Sequence, residues 1–139
     1  METTGIDHFV VYARDVDATC EFYETLGLER HTFADDRVAL RCGDQKINLH
    51  QAGAEYDPHA GDPAPGSADF CLLVETPIED VVDELDAAGI EVIEGPVPKT
   101  GALGPMTSVY VRDPDGNLVE LARYDEGVRR PGRIDRNRI

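Results

Sequence analysis

The chain repeats itself, and that repetition limits what it can fold into. His8-Phe9 falls on Asp69-Phe70 at an offset of 61, Gly27 on Gly89 at 62, and Ile47-Asn48-Leu49 on Val119-Glu120-Leu121 at 72. A growing offset is what loop insertions produce, chiefly here in residues 96–105. Each copy reads strand, helix and three further strands, and a module of about fifty residues is too small to bury its own apolar faces. The two are therefore expected to pair. The expectation is an α+β fold in which two tandem βαβββ modules form one curved mixed sheet, an open barrel-like trough with helices outside. The domain spans 1–124, with module one at about 5–52, a linker at 53–66 and module two at 67–124; residues 125–139 are a basic tail, expected to be flexible or else to dock on the acidic body of its own or a partner subunit.

Local patterns place the elements. Residues 6–12 alternate as a strand. Asp15 or Asp17 can cap the helix that follows, and Gly27 stops it in the left-handed conformation that suits glycine. Strands are expected at 29–33, 38–42 and 46–51. In the second copy a strand at 68–75 leads to a helix at 77–88, entered by Pro77 and stopped at Gly89. A short strand at 91–94 and a hairpin of 107–112 with 117–124 follow. The three prolines and three glycines in residues 52–66 mark a connector.

Charge removes one class of partner. With 28 acidic and 13 basic residues in 139, the net charge is −15, and a polyanion such as nucleic acid needs a basic footprint. Only Lys46 and Lys99 are lysines, and five of the eleven arginines lie in the last fifteen positions. Lysine-poor acidity of this kind keeps a protein hydrated and suggests a halophilic source, with an ordinary acidic bacterial protein as the alternative. No stretch reaches the ~20 apolar residues of a membrane span, and residues 1–15 lack an apolar signal core. A cytoplasmic protein without a membrane partner is expected. Cys20, Cys42 and Cys71 are widely spaced and read as small buried apolar side chains.

Strand alternation selects the residues that carry chemistry. If Phe9 and Val11 face the helix, His8 faces the trough with Val10 and Tyr12; by the same parity Asp69, Asn48, His50 and Glu120 look inward. Taken singly, each has an ordinary structural role. What singles them out is that they fall in register across the duplication. An imidazole and two carboxylates sharing a cleft need a positive partner, because unpaired buried charge is costly. One divalent metal ion held by His8, Asp69 and Glu120 answers this and leaves positions open for substrate. The oxygen-rich donor set admits Mn, Fe, Ni, Co or Zn.

The double repeat, the opening Ile6-Asp7-His8, the helix stop Leu26-Gly27-Leu28, the turn Arg112-Asp113-Pro114-Asp115-Gly116-Asn117 and the closing Leu118-Val119-Glu120-Leu121 resemble the vicinal oxygen chelate superfamily. That group contains glyoxalase I, fosfomycin-resistance proteins, extradiol dioxygenases and metal-free bleomycin-binding proteins. The resemblance covers residues 5–124, and segments 45–52, 65–69 and 100–105 are similar to an uncharacterised glyoxalase-domain subgroup. It implies a metal held by His8 and Glu120, with Asp69 standing where relatives carry a histidine. Asn48 stands where glyoxalase I has a proton-shuttling glutamate, so His50, two residues on, joins Glu120 as a catalytic candidate. Tyr110 matches a substrate-reaching tyrosine of fosfomycin-resistance proteins, and Asn48 and Thr100 complete the substrate-binding candidates. The segment 100–105 reads either as a lid hinged at Gly101 and Gly104 or as a long turn. The function implied is a metal-dependent isomerase or lyase of the glyoxalase type acting on a small molecule. The alternatives are a metal-free binding or resistance protein and an extradiol-type dioxygenase. A homodimer is expected from the same resemblance.

Overall fold

The structure, a computed structural model, describes residues 1–130. Its elements run β1 (His8–Ala13), α1 (Val16–Thr25), β2 (Glu29–Phe33), β3 (Arg37–Cys42), β4 (Gln45–Gln51), β5 (Asp69–Leu73), α2 (Ile78–Ala87), β6 (Glu94–Thr100), β7 (Pro105–Arg112) and β8 (Leu118–Tyr124). The strands form two four-stranded sheets in the orders β1-β4-β3-β2 and β5-β8-β7-β6. The same strand order twice is the α+β double βαβββ arrangement that the duplication calls for. No helix among the described residues is long and apolar enough to cross a membrane.

The described residues divide into two compact units, residues 1–69 with 112–118 and residues 70–111 with 119–130. In the first, β1 pairs in parallel with β4, while β3 pairs antiparallel with both β4 and β2. Asp15 caps α1, accepting from the Ala18 backbone N at 3.2 Å. Gly27, at φ 97, lets the chain leave the helix while Leu28 N bonds back to the Tyr23 carbonyl, a left-handed stop. One face of the sheet then packs: Val11, Leu40, Ile47 and Leu49 are buried, as are Cys20 and Tyr23 of α1. Each such apolar side chain contributes about 1.5–3 kcal/mol on burial. Phe9, expected on this face, is 37% exposed at the start of its strand.

The turn 112–118 belongs to this unit and is tied down by hydrogen bonds. Asp113, 5% exposed, accepts from Tyr23 Oη at 2.8 Å, Asn117 Nδ2 at 2.7 Å and the backbone N of Asp115 and Asn117 at 2.9 and 3.0 Å. Asn117 Oδ1 in turn accepts from Ala68 N at 2.9 Å, just before β5. Burial, and then the Asp113 carboxylate, push the Tyr23 phenol well above the ordinary tyrosine range, so it remains a donor.

In the second unit α2 buries Ile78, Val81 and Leu85, β7 buries Val109 and Val111, and β8 buries Val119 and Leu121. Gly89, at φ 74, repeats the helix stop of Gly27. The segment expected as a short strand at 91–94 and an insertion is instead a seven-residue strand, β6. Pro96 and Pro98 hid it, yet β6 is the sheet edge, and its register shifts between Glu94 and Val97; edges and bulges are where a sheet tolerates proline. Residues 101–104 form a tight turn closed by Gly101 N on the Gly104 carbonyl at 2.8 Å, so the turn reading of this segment replaces the lid.

Of the basic tail, residues 131–139 lie outside the described residues. Within 125–130, Val128 packs against Met106, Ala122 and Tyr124. Arg130 reaches the Tyr124 carbonyl at 3.3 Å and the Glu75 carboxylate at 3.6 Å.

Candidate functional site

Strand register in the first unit fixes which side chains share the face turned away from α1. His8, Val10 and Tyr12 lie opposite Lys46, Asn48 and His50; Asn48 and Lys46 lie opposite Ala39 and Arg41; Arg41, Ala39 and Arg37 lie opposite Glu29, His31 and Phe33. The result is a basic and aromatic face with Glu29 as its one acid. His50 meets Tyr12 and Tyr56 edge to face, each at 5.5 Å between centroids. The Arg37 guanidinium lies 4.2 Å from the Tyr56 centroid and the Lys46 ammonium 3.7 Å from that of Phe33, both within cation–π range. Tyr12 Oη also accepts from Ala60 N at 3.1 Å. Residues 53–66, expected only as a connector, thus supply a ring and a backbone donor to this face.

Asn48 Oδ1 and His50 Nδ1 are shielded from solvent and meet no hydrogen-bond partner among the described residues. A buried polar atom left in this way costs free energy that a bound polar group recovers. Burial first, and then the Arg37 charge, hold the His50 imidazole below the ordinary histidine value, so it is neutral near pH 7. Following its ring protons by NMR should give a midpoint below about 6.5, and Arg37→Gln should move that midpoint upward. A midpoint at or above the ordinary value in the parent would contradict this environment.

In the second unit Ser108 of β7 and Glu120 of β8 meet: Ser108 Oγ donates to Glu120 Oε2 at 2.6 Å. Ser108 itself is fully buried. Tyr110, two residues along β7, is pushed up to about 12 by burial and then by the Glu120 carboxylate, and the Lys99 ammonium stands 5.5 Å from its ring centroid. The Cys71 thiol is likewise pushed up to about 12, by desolvation of its sulfur and then by Glu120, although the residue as a whole is exposed. Phenol and thiol therefore stay protonated beside a carboxylate. Cys20 is buried as expected, whereas Cys71 is exposed and Cys42 half-buried: β5 turns Asp69, Cys71 and Leu73 to its open side and Leu72 to the core.

The sequence candidates thus fall into two groups. His8, Asn48 and His50 share the face of the first sheet, and Asp69 opens β5, exposed. Glu120 and Tyr110 cluster in the second unit, while Thr100 is exposed at the end of β6, paired with Pro105. Among the described residues no group of three or more His, Cys, Asp or Glu side chains is close enough together to hold a metal ion. Two of the candidate donors are nevertheless oriented by hydrogen bonds. His8 Nδ1 is held by Asp7 Oδ1 at 2.7 Å, which leaves Nε2 to coordinate, and Ser108 fixes one oxygen of Glu120. Outer hydrogen bonds of this kind orient metal-ligating side chains. Sequence reasoning missed Arg37, Lys46, Tyr56 and Ser108. Alternation through β3 is the signal that would pair Arg37 with Arg41 on one face, once the strand is started at 37 and not at 38; Tyr56 lies in an aperiodic segment that offers no such signal.

The profile of the Glyoxalase/Bleomycin resistance protein/Dioxygenase superfamily matches residues 5–121. The chain belongs to this superfamily. It is 52% identical over 120 residues to virulence protein STM3117 of Salmonella typhimurium, covering 86% of this chain and 83% of that one. The crystal structure of STM3117 superposes with a TM-score of 0.88 over 90% of this chain and 100% of the other, at 51% identity. Glyoxalase domain-containing protein RDO1 of Mycosarcoma maydis is 47% identical over 126 residues, 91% of this chain and 72% of that protein. Lactoylglutathione lyase from Agrobacterium tumefaciens, also of this superfamily's fold, is 28% identical with a TM-score of 0.67, covering 88% of this chain and 95% of the other.

Proposed function

We propose that the protein is a glyoxalase-like enzyme of the isomerase or lyase type. It acts as a homodimer on a small oxygenated molecule, with one divalent metal ion held by His8, Asp69 and Glu120. The observation that carries this reading is the setting of Glu120: one carboxylate oxygen fixed by Ser108 at 2.6 Å, with a phenol and a thiol beside it that stay protonated. The likeness to lactoylglutathione lyase supports the reaction class. A bound ion supplies Lewis-acid polarisation of two adjacent substrate oxygens. Within the chain, Tyr110 donates a hydrogen bond to a substrate oxygen, the neutral His50 accepts a proton, and Asn48 and Thr100 position the substrate.

Elemental analysis of untagged protein should find about one ion per chain, lost when His8→Ala is combined with Glu120→Ala. No ion in the parent under metal-replete conditions overturns the reading. A second reading, a metal-free small-molecule binder, is favoured by the dispersal of the donors among the described residues and by the ring cluster of Tyr12, His50 and Tyr56. Ligand binding by ion-free protein selects it.

A further inference from the structure

The first unit carries six basic side chains, Arg14, Arg30, Arg37, Arg41, Lys46 and Arg112. Arg14 and Arg30 pair with acids and Arg112 bonds a backbone carbonyl. The other three share one sheet face, and among the described residues no carboxylate pairs with any of them. In a chain with 28 acids this is the reverse of what charge balance would produce by default: cations are normally neutralised by nearby carboxylates, and here Arg37 and Lys46 stand on aromatic rings instead. Stacking on Tyr56 and Phe33 holds Arg37 and Lys46 in place while leaving their N–H groups available. Alongside them lie the two shielded polar atoms without partners, Asn48 Oδ1 and His50 Nδ1. The same face carries a cluster of rings, with His50 edge to face against both Tyr12 and Tyr56.

We infer that this face recognises an anionic, ring-bearing small molecule, its carboxylate or phosphate held by Arg37 and Lys46 and its ring packed in the Tyr12–His50–Tyr56 corner. His50, donating from Nδ1, supplies a further bond, and Asn48 Oδ1 accepts from a hydroxyl of the same molecule. Charge complementarity selects the occupant: a cation meets the Arg37 and Lys46 charges there, the face's one acid, Glu29, lying opposite Arg41, and a neutral molecule leaves the guanidinium and ammonium unsatisfied. The inference rests on the small-molecule reading above and adds the charge and shape of the ligand.

Isothermal titration of the full-length protein with phenyl phosphate, benzyl alcohol and benzylamine tests it, because the three differ mainly in the charge carried by one ring. Phenyl phosphate should bind most tightly, benzylamine should give no binding, and raising the salt should weaken the phosphate complex. Arg37→Gln and Lys46→Gln should each weaken phenyl phosphate about tenfold. The half-exposed Lys46 substitution stands alone if loss of the Arg37 stack unfolds the protein. Benzylamine binding as tightly as phenyl phosphate, no phenyl phosphate binding, or unchanged affinity in Lys46→Gln overturns the inference. Metal content measured on the same samples separates the two proposals. Ion-free protein that still binds phenyl phosphate through Lys46 sinks only the metal-dependent enzyme, and ion-loaded protein indifferent to Lys46 sinks only the anion face.

Discussion

Replacing Asp113 with alanine is expected to lower stability by roughly 3–4 kcal/mol, because it removes the acceptor of a buried network. Four donors converge on that carboxylate, at 2.7 to 3.0 Å. Tyr23 and Asn117, which supply three of them, are 0% and 1% exposed, so water cannot take over. The loss propagates through Asn117, whose other end holds Ala68. Urea unfolding should show a lower midpoint at an unchanged slope. Asp113→Asn, which keeps the shape and half of the acceptor capacity, should fall between. A loss for Asp113→Ala within the ~0.5 kcal/mol typical of surface changes would show that the turn is not a stabilising tie.

Gly95→Ala should be almost as damaging, and it reaches the site. Gly95 has φ 104, and a Cβ there would lie 2.4 Å from the Ser108 carbonyl oxygen and 3.0 Å from Val109 Cα. Both obstacles are backbone, so β6 must move away from β7. Left-handed strain and overpacking together should cost about 3 kcal/mol. The clash falls on Ser108, whose hydroxyl fixes Glu120; if a metal ion is bound as proposed above, its affinity should fall some 10–100-fold, as for Ser108→Ala. Gly116→Ala is the control: it carries a similar φ of 89 with open space around the added carbon, and should cost only about 1–2 kcal/mol. Equal losses in the two variants would mean that the contact with Ser108 is unimportant.

Much of the framework was legible in the sequence because it rests on local rules. The helix stops at Gly27 and Gly89, the cap at Asp15 and the burial of Ile47, Leu49, Val119 and Leu121 follow from backbone freedom and period-two alternation. Residues 94–100 escaped because proline argues against a strand only while its neighbours are unknown; at the edge of a sheet the missing N–H faces no partner. Cys71 escaped for a related reason, since its side of β5 is the open one. Tyr56 gave no sign of a role, because its position depends on how an aperiodic connector crosses back over β1 and β4.

By itself, then, the amino-acid order determined a duplicated strand–helix–strand plan, its punctuation and the two faces of each strand. Those are properties of neighbours along the chain. Which cations lack carboxylates, which polar atoms are shielded without a partner, and which hydroxyl holds Glu120 were decided only by tertiary structure, because each depends on residues brought together from different strands and on the exclusion of water between them.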